Sequence, residues 1–208
     1  MPVQVKICGI NSIDAANATL DAGADFAGLV FYSKSPRNIG PVVGARLANH
    51  VRNRVKVVAL FVDAGDDELH HVIGIVRPDF LQLHGCETPE RAAAIRSRFG
   101  VPVVKAVPVA DADDLKNIRT YEDVADMLLF DAKGATPGGN GAAFDWQLLR
   151  GRSFTKPWFL AGGLNVGNVA RAIRATGAQG VDVSSGVETA PGVKDAQMIR
   201  EFVSEARA

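Results

Sequence analysis

Short β-branched runs alternate with longer segments whose apolar residues recur at helical spacing from one end of the chain to the other. Eight runs read as strands. They begin near Val3, Phe26, Val57, Phe80, Val103, Met127, Trp158 and Val181, at intervals of 23, 31, 23, 23, 24, 31 and 23 residues. A parallel strand, a helix of three to four turns and two short loops need roughly 22 to 26 residues, so five intervals fit the minimum and two exceed it. Helical spacing covers Ser12 to Ala22, Gly44 to Val51, Asp67 to Val76, Pro89 to Phe99, Ala112 to Tyr121 and Val166 to Ala175. Asn11, Thr88 and Asn165 are candidate openers, and Gly23, Gly100 and Gly177 are candidate stops. The pattern predicts an α/β fold, a (β/α)8 TIM barrel of eight parallel strands with outer helices, in one domain over residues 1–208. An open doubly wound sheet is the alternative.

In such a barrel, functional side chains stand at the carboxyl ends of strands and in the loops that follow. The strand ends are Cys8, Phe31, Asp63, His84, Pro108, Asp131, Gly162 and Ser184. Alternation along each strand turns Gln4, Lys6 and Cys8 to the lumen, with Gln82 and His84, Asp131, and Asp182 and Ser184. The two long intervals carry Ser33 to Ile39, with Arg37, and Ala132 through Gly141; these are the expected substrate loops.

A cysteine at a strand end is ordinarily a small buried hydrophobe, but at a barrel mouth Cys8 can serve as a base if its thiol is ionised. Lys6, one layer below, either favours that ionisation or pairs with a carboxylate. Asp131 is a general acid or a loop cap. Asp63 reads as a turn residue. Arg37 is a solvated charge or a planar fork for a carboxylate. Gly162 and Gly163 after the seventh strand, and Ser184, Ser185 and Gly186 after the eighth, offer backbone N–H groups to a phosphate, an arrangement known from phosphate-binding barrels. No glycine run spells a dinucleotide fingerprint. His70 and His71 point apart on a helix and are read as solvated rather than metal-binding.

Charge and composition narrow the partners. The 23 Lys and Arg balance 23 Asp and Glu, which removes a nucleic-acid footprint. The apolar runs are too short to cross a bilayer. Two cysteines make no disulfide framework, and the expected setting is the cytoplasm.

The chain resembles the phosphoribosylanthranilate isomerase family of tryptophan biosynthesis almost end to end. The resemblance is carried by Val5-Lys6-Ile7-Cys8-Gly9-Ile10, Gly28 to Tyr32 with Ser35-Pro36-Arg37, Gln82-Leu83-His84-Gly85, Phe130-Asp131, Gly138-Gly139-Asn140-Gly141, Ala161-Gly162-Gly163-Leu164 and Val181 to Glu188. It implies an Amadori rearrangement of N-(5-phosphoribosyl)anthranilate, with no cofactor or metal and a monomer or homodimer. It implies further that Cys8 is the general base and Asp131 the general acid. Arg37 would lie near the anthranilate carboxylate, Gln82, His84 and Asp182 around the substrate, and Gly162, Gly163, Ser184, Ser185 and Gly186 at the phosphate. Cys86 and Asn140 depart from residues common in the family. A histidine-pathway sugar isomerase would carry aspartate where Cys8 stands, and a catalytically silent phosphosugar-binding barrel would have no need to keep Cys8, Asp131 and Arg37 together.

Overall fold

A computed structural model of the chain describes residues 2–134 and 144–208. Eight parallel strands close into a barrel in chain order: β1 (Gln4–Cys8), β2 (Phe26–Val30), β3 (Lys56–Phe61), β4 (Phe80–Leu83), β5 (Val103–Val109), β6 (Met127–Ala132), β7 (Trp158–Leu160) and β8 (Gly180–Val183). Pairing of β1 with β8 in parallel closes the ring, and an open doubly wound sheet is excluded. Each strand begins within one residue of the start predicted from the hydrophobic pattern.

The helices are α1 (Ile13–Asp21), α2 (Pro41–Val51), α3 (Asp66–Val76), α4 (Pro89–Phe99), α5 (Ile118–Glu122), α6 (Val169–Thr176) and α7 (Ala196–Ala206). The expected bounds of α4 hold to the residue because its signals agree: the Thr88 hydroxyl accepts from Arg91 N, Pro89 opens the first turn, and Gly100 closes it with φ of 65°. Other expectations change. Ser12, not Asn11, caps α1, its hydroxyl accepting from Ala15 N at 3.2 Å, while Asn11 reaches across to donate to the Gly192 carbonyl at 2.8 Å. The helix expected over Ala112 to Tyr121 is broken into a 3-10 turn at Asp113–Leu115 and the short α5. Asp111 and Asp114 accept from nearby backbone N–H groups, which competes with continuous helix. α6 starts three residues later than expected, since the Asn165 side chain accepts from Gly167 N and forms a turn first. The pattern did not single out α7, capped by Asp195.

Alternation divides the interior in two. Val5, Ile7, Leu81, Leu83, Phe130, Val181 and Val183 join the layer between strands and helices. Phe26, Val58, Val104, Leu129 and Phe159 fill the lumen. Phe26 meets Phe80 and Phe159 edge to face, with centroids 5.8 and 5.2 Å apart, so an aromatic layer plugs the lower lumen beneath the polar groups at the carboxyl ends of the strands.

Candidate active site

The polar lumen begins at Lys6. Register pairs Lys6 with Asp182 across the β1–β8 seam, and Lys6 Nζ donates to Asp182 Oδ1 at 2.9 Å with both side chains nearly solvent-free. The second reading of Lys6, a lumen cation paired with a carboxylate, is the one realised. Cys8 stands one layer above and is buried. Burial pushes its thiol up from the ordinary range, and Asp182 adds to this. Lys6 and Lys194 pull the other way without overcoming it. The expectation that Lys6 brings Cys8 below the ordinary range is therefore corrected, because burial of the thiol outweighs the lysine's pull. Alkylation of Cys8 is expected to need more alkaline pH than a free thiol. Lys6→Met should move the profile further up, because it removes a cation and frees the Asp182 charge. Iodoacetamide rates read at Cys8 by peptide mass spectrometry check both; an unchanged profile in Lys6→Met would separate the two residues.

Arg37 reaches the same end of the barrel from the loop after β2. A bridge between Val30 and Asn38 pins that loop, and Asn38 Oδ1 accepts from Tyr32 N at 2.9 Å. The guanidinium is buried, with Nε and Nη2 donating to Glu188 Oε1 and Oε2 at 2.8 and 2.7 Å. Lys194 Nζ donates to Glu188 Oε1 at 2.6 Å and to the Ser184 carbonyl at 3.0 Å. The two cations hold the Glu188 carboxyl below the usual carboxylate range even against burial. Arg37 and Lys194 thus flank one carboxylate beside Cys8; burial pulls the Lys194 ammonium below the usual lysine range against the opposing pull of Glu188, and the Nη1 edge of Arg37 is free of protein acceptors among the described residues.

Opposite in the chain, β4 and β6 bring a second polar group together. Gln82 Nε2 lies 2.8 Å from His84 Nδ1, and His84 Nε2 lies 3.1 Å from Asp131 Oδ2. Asp131 Oδ1 accepts from Ala132 N at 2.8 Å. Gln82 Oε1 is buried and has no partner among the described residues.

The two glycine-bearing segments stand side by side. A Cβ on Gly186 would lie 1.9 Å from the Leu164 carbonyl oxygen, and one on Gly162 would lie 2.5 Å from Ala132 N. Only glycine allows either approach. The N–H groups of Gly163, Ser185 and Gly186 find no acceptor among the described residues. The Ser184 hydroxyl donates to the Cys8 carbonyl at 3.1 Å and so ties the eighth strand end to the first. After it comes a single 3-10 turn, Ser185–Val187. Ala135 to Ala143, including Gly138, Gly139, Asn140 and Gly141, lie outside the described residues.

Sequence reasoning missed Glu188, Lys194 and Lys105. Glu188 was quoted in a motif without a role, and Lys194 stands beyond the last barrel strand, on a small hairpin of β9 (Glu188–Ala190) and β10 (Val193–Lys194). Lys105 donates to the Leu83 and Gly85 carbonyls at 3.3 and 2.8 Å and to Glu87 Oε2 at 2.8 Å. It thereby fixes the backbone on both sides of His84. The usable signal was a lone lysine inside the apolar run Val103-Val104-Lys105-Ala106-Val107. Asp63 is a turn residue as expected, its Oδ1 accepting from Cys86 N at 2.7 Å. His70 and His71 are exposed. Among the described residues no helix is long and apolar enough to cross a membrane, and no group of three His, Cys, Asp or Glu is placed to hold a metal ion.

Buried ionisable groups gathered at the carboxyl ends of barrel strands, over an aromatic plug, define a (β/α)8-barrel enzyme. A family model described as N-(5'phosphoribosyl)anthranilate (PRA) isomerase matches residues 5–205. The chain belongs to that family, whose members are aldose–ketose isomerases of tryptophan biosynthesis. It is 54% identical to N-(5'-phosphoribosyl)anthranilate isomerase of Rhodospirillum centenum over 213 aligned positions, covering 100% of both chains. Among solved structures, it is similar to phosphoribosyl anthranilate isomerase from Thermotoga maritima, with a TM-score of 0.89, 38% identity and 98% of each chain covered. A phosphoribosyl anthranilate isomerase in complex with reduced 1-(o-carboxyphenylamino)-1-deoxyribulose 5-phosphate superposes with a TM-score of 0.85, at 36% identity and 98% coverage of each chain.

Proposed function

We propose that this chain rearranges N-(5-phosphoribosyl)anthranilate to 1-(2-carboxyphenylamino)-1-deoxyribulose 5-phosphate, with Asp131 as general acid and Cys8 as general base. The observation that carries the reading is the division of the mouth into two groups, one around Cys8 on β1 and one around Asp131 on β6. Asp131 gives a proton to the ribose ring oxygen as the bond from that oxygen to C1 breaks. The anilinic nitrogen lone pair forms the C1=N bond of a Schiff base. Cys8, as thiolate, then takes the proton from C2, electrons move into C1=C2, and the nitrogen recovers its pair. The enol becomes the ketone as C1 is protonated. No step needs a redox cofactor or a metal ion.

The electrostatics support each assignment. The Nη1 edge of Arg37, left without a protein acceptor among the described residues, suits one carboxylate, which the anthranilate ring supplies. The unpaired N–H groups of Gly163, Ser185 and Gly186 suit the 5-phosphate, with Gly162 allowing the turn and Ser184 holding the segment to β1. Gln82, His84 and Asp182 line the space between. Burial raises the Cys8 thiol, so the thiolate once formed is a strong base toward a carbon acid.

The Arg37 assignment is tested by Arg37→Met. Its KM should rise about 10- to 100-fold with a smaller change in kcat, as befits lost ground-state binding. A substrate in which the ring carboxylate is replaced by hydrogen should fare equally with both enzymes. An unchanged KM in Arg37→Met would remove the residue from carboxylate binding.

A further inference from the structure

We propose that Glu188 is a positioning residue for Arg37, and that the β9–β10 hairpin it opens is the device by which this barrel selects a substrate with a carboxylate on its amine side; this rests on Arg37 meeting the ring carboxylate. A carboxylate has room for about four hydrogen bonds, and Glu188 accepts four. Oε1 accepts from Arg37 Nε at 2.8 Å and from Lys194 Nζ at 2.6 Å. Oε2 accepts from Arg37 Nη2 at 2.7 Å and from Gly192 N at 3.2 Å. With its acceptor sites filled and its side chain 4% exposed, Glu188 has nothing left to offer a substrate. What it does instead is fix a plane. It takes the Nε–Nη2 edge of a rigid guanidinium, so the hairpin sets the direction of the remaining edge, Nη1 with the second hydrogen of Nη2.

The hairpin is seated on the loops that carry the site. A Cβ on Gly192 would lie 2.7 Å from the Pro36 carbonyl oxygen, and the Gly192 carbonyl accepts from Asn11 Nδ2 at 2.8 Å, so the hairpin turn touches the segments after both β1 and β2. The stem of Arg37 crosses Gly9, where a Cβ would come within 2.5 Å of Cδ; the arginine therefore lies against the residue that follows Cys8. Lys194 also donates to the Ser184 carbonyl and hydroxyl at 3.0 and 3.3 Å, which joins the hairpin to the segment assigned to the phosphate. One added hairpin thus sets the groups for the two anionic ends of the substrate relative to each other. Glutamine at position 188 would keep the volume but turn an NH2 group toward two of the four donors. Its lost charge would strengthen the positive field at Arg37, while the lost fork would let the guanidinium turn. Orientation is the larger effect, because a misdirected edge forfeits both bonds of a bidentate pair.

Titration calorimetry of the full chain tests this without recourse to activity, using as probes 1-(2-carboxyphenylamino)-1-deoxyribulose 5-phosphate and its counterpart in which hydrogen replaces the ring carboxylate. Glu188→Gln should weaken binding of the first about 10-fold, the upper end of what holding one long side chain in place is worth, and of the second less than twofold. In an Arg37→Met background the same substitution should add less than twofold, since nothing is left for Glu188 to orient. With N-(5-phosphoribosyl)anthranilate, Glu188→Gln should raise KM and leave kcat within about threefold. Unchanged or tighter binding of the carboxylate probe in Glu188→Gln, or equal weakening of both probes, overturns the positioning role. Equal weakening of both probes by Arg37→Met would overturn the placing of the carboxylate on Arg37, and the role of Glu188 with it. Carboxylate binding that depends on both residues in a chain that does not turn over N-(5-phosphoribosyl)anthranilate would uphold the clamp and overturn the isomerase assignment alone.

Discussion

Asp131→Asn and Cys8→Ala are each expected to lower turnover by about 10²- to 10⁴-fold, the usual share of a single general acid or base, while the barrel still folds. The two losses differ in kind. Asparagine keeps the volume of Asp131 and its oxygen can keep accepting from Ala132 N, so what disappears is the proton. Ring opening should then become rate-limiting. Alanine at position 8 removes the sulfur one layer above Lys6, and C2 deprotonation should become rate-limiting, exposed as a larger isotope effect with substrate deuterated at C2. Because Cys8 is buried beside Val30 and Leu60, the alanine leaves a methyl-sized gap rather than an unpaired charge. Steady-state kinetics with circular dichroism as the folding control read both. Activity near wild type in either variant would remove that residue from its role.

Lys105→Met is expected to cost about 3–5 kcal/mol of stability, the range found when one member of a buried ion pair is deleted. Lys105 and Glu87 have side chains that are each 3% exposed. Glu87 also accepts from Asp63 N and Gly85 N, so the pair joins the ends of β3, β4 and β5 just beneath the His84 level. Without the lysine, a carboxylate and two carbonyls lose their donor in a site closed by Tyr121, whose ring lies 5.8 Å from Nζ. Replacing both partners, as Lys105→Met with Glu87→Leu, should recover part of the loss, because no buried charge is then left alone. Urea unfolding checks the series. A single-variant loss below about 1 kcal/mol would mean that the charge is solvated in solution.

Much of the barrel was legible because strand spacing and inside–outside alternation are consequences of backbone geometry, and both survive into the fold with little tertiary override. Alternation alone places Lys6, Cys8, Gln82, His84, Asp131 and Asp182 on one face, and the lumen holds them there. What was not legible depends on distance along the chain. The Arg37–Glu188 pair joins residues 151 positions apart, and no local pattern announces it. The use of Lys6 against Asp182, rather than to ionise Cys8, follows from barrel closure across the β1–β8 seam and from how completely Cys8 is buried. The breaks in the helix expected over Ala112 to Tyr121 come from aspartate side chains taking backbone N–H groups, a local competition that periodicity does not register.

The most direct test of the account is to mix the wild-type chain with N-(5-phosphoribosyl)anthranilate, without added metal or cofactor, and follow the product by fluorescence and mass spectrometry. The account predicts consumption of the substrate and appearance of a product of identical mass that carries a ketone in an opened sugar chain. Release of free anthranilate, or a substrate that stays unchanged beyond its spontaneous decay, would contradict it.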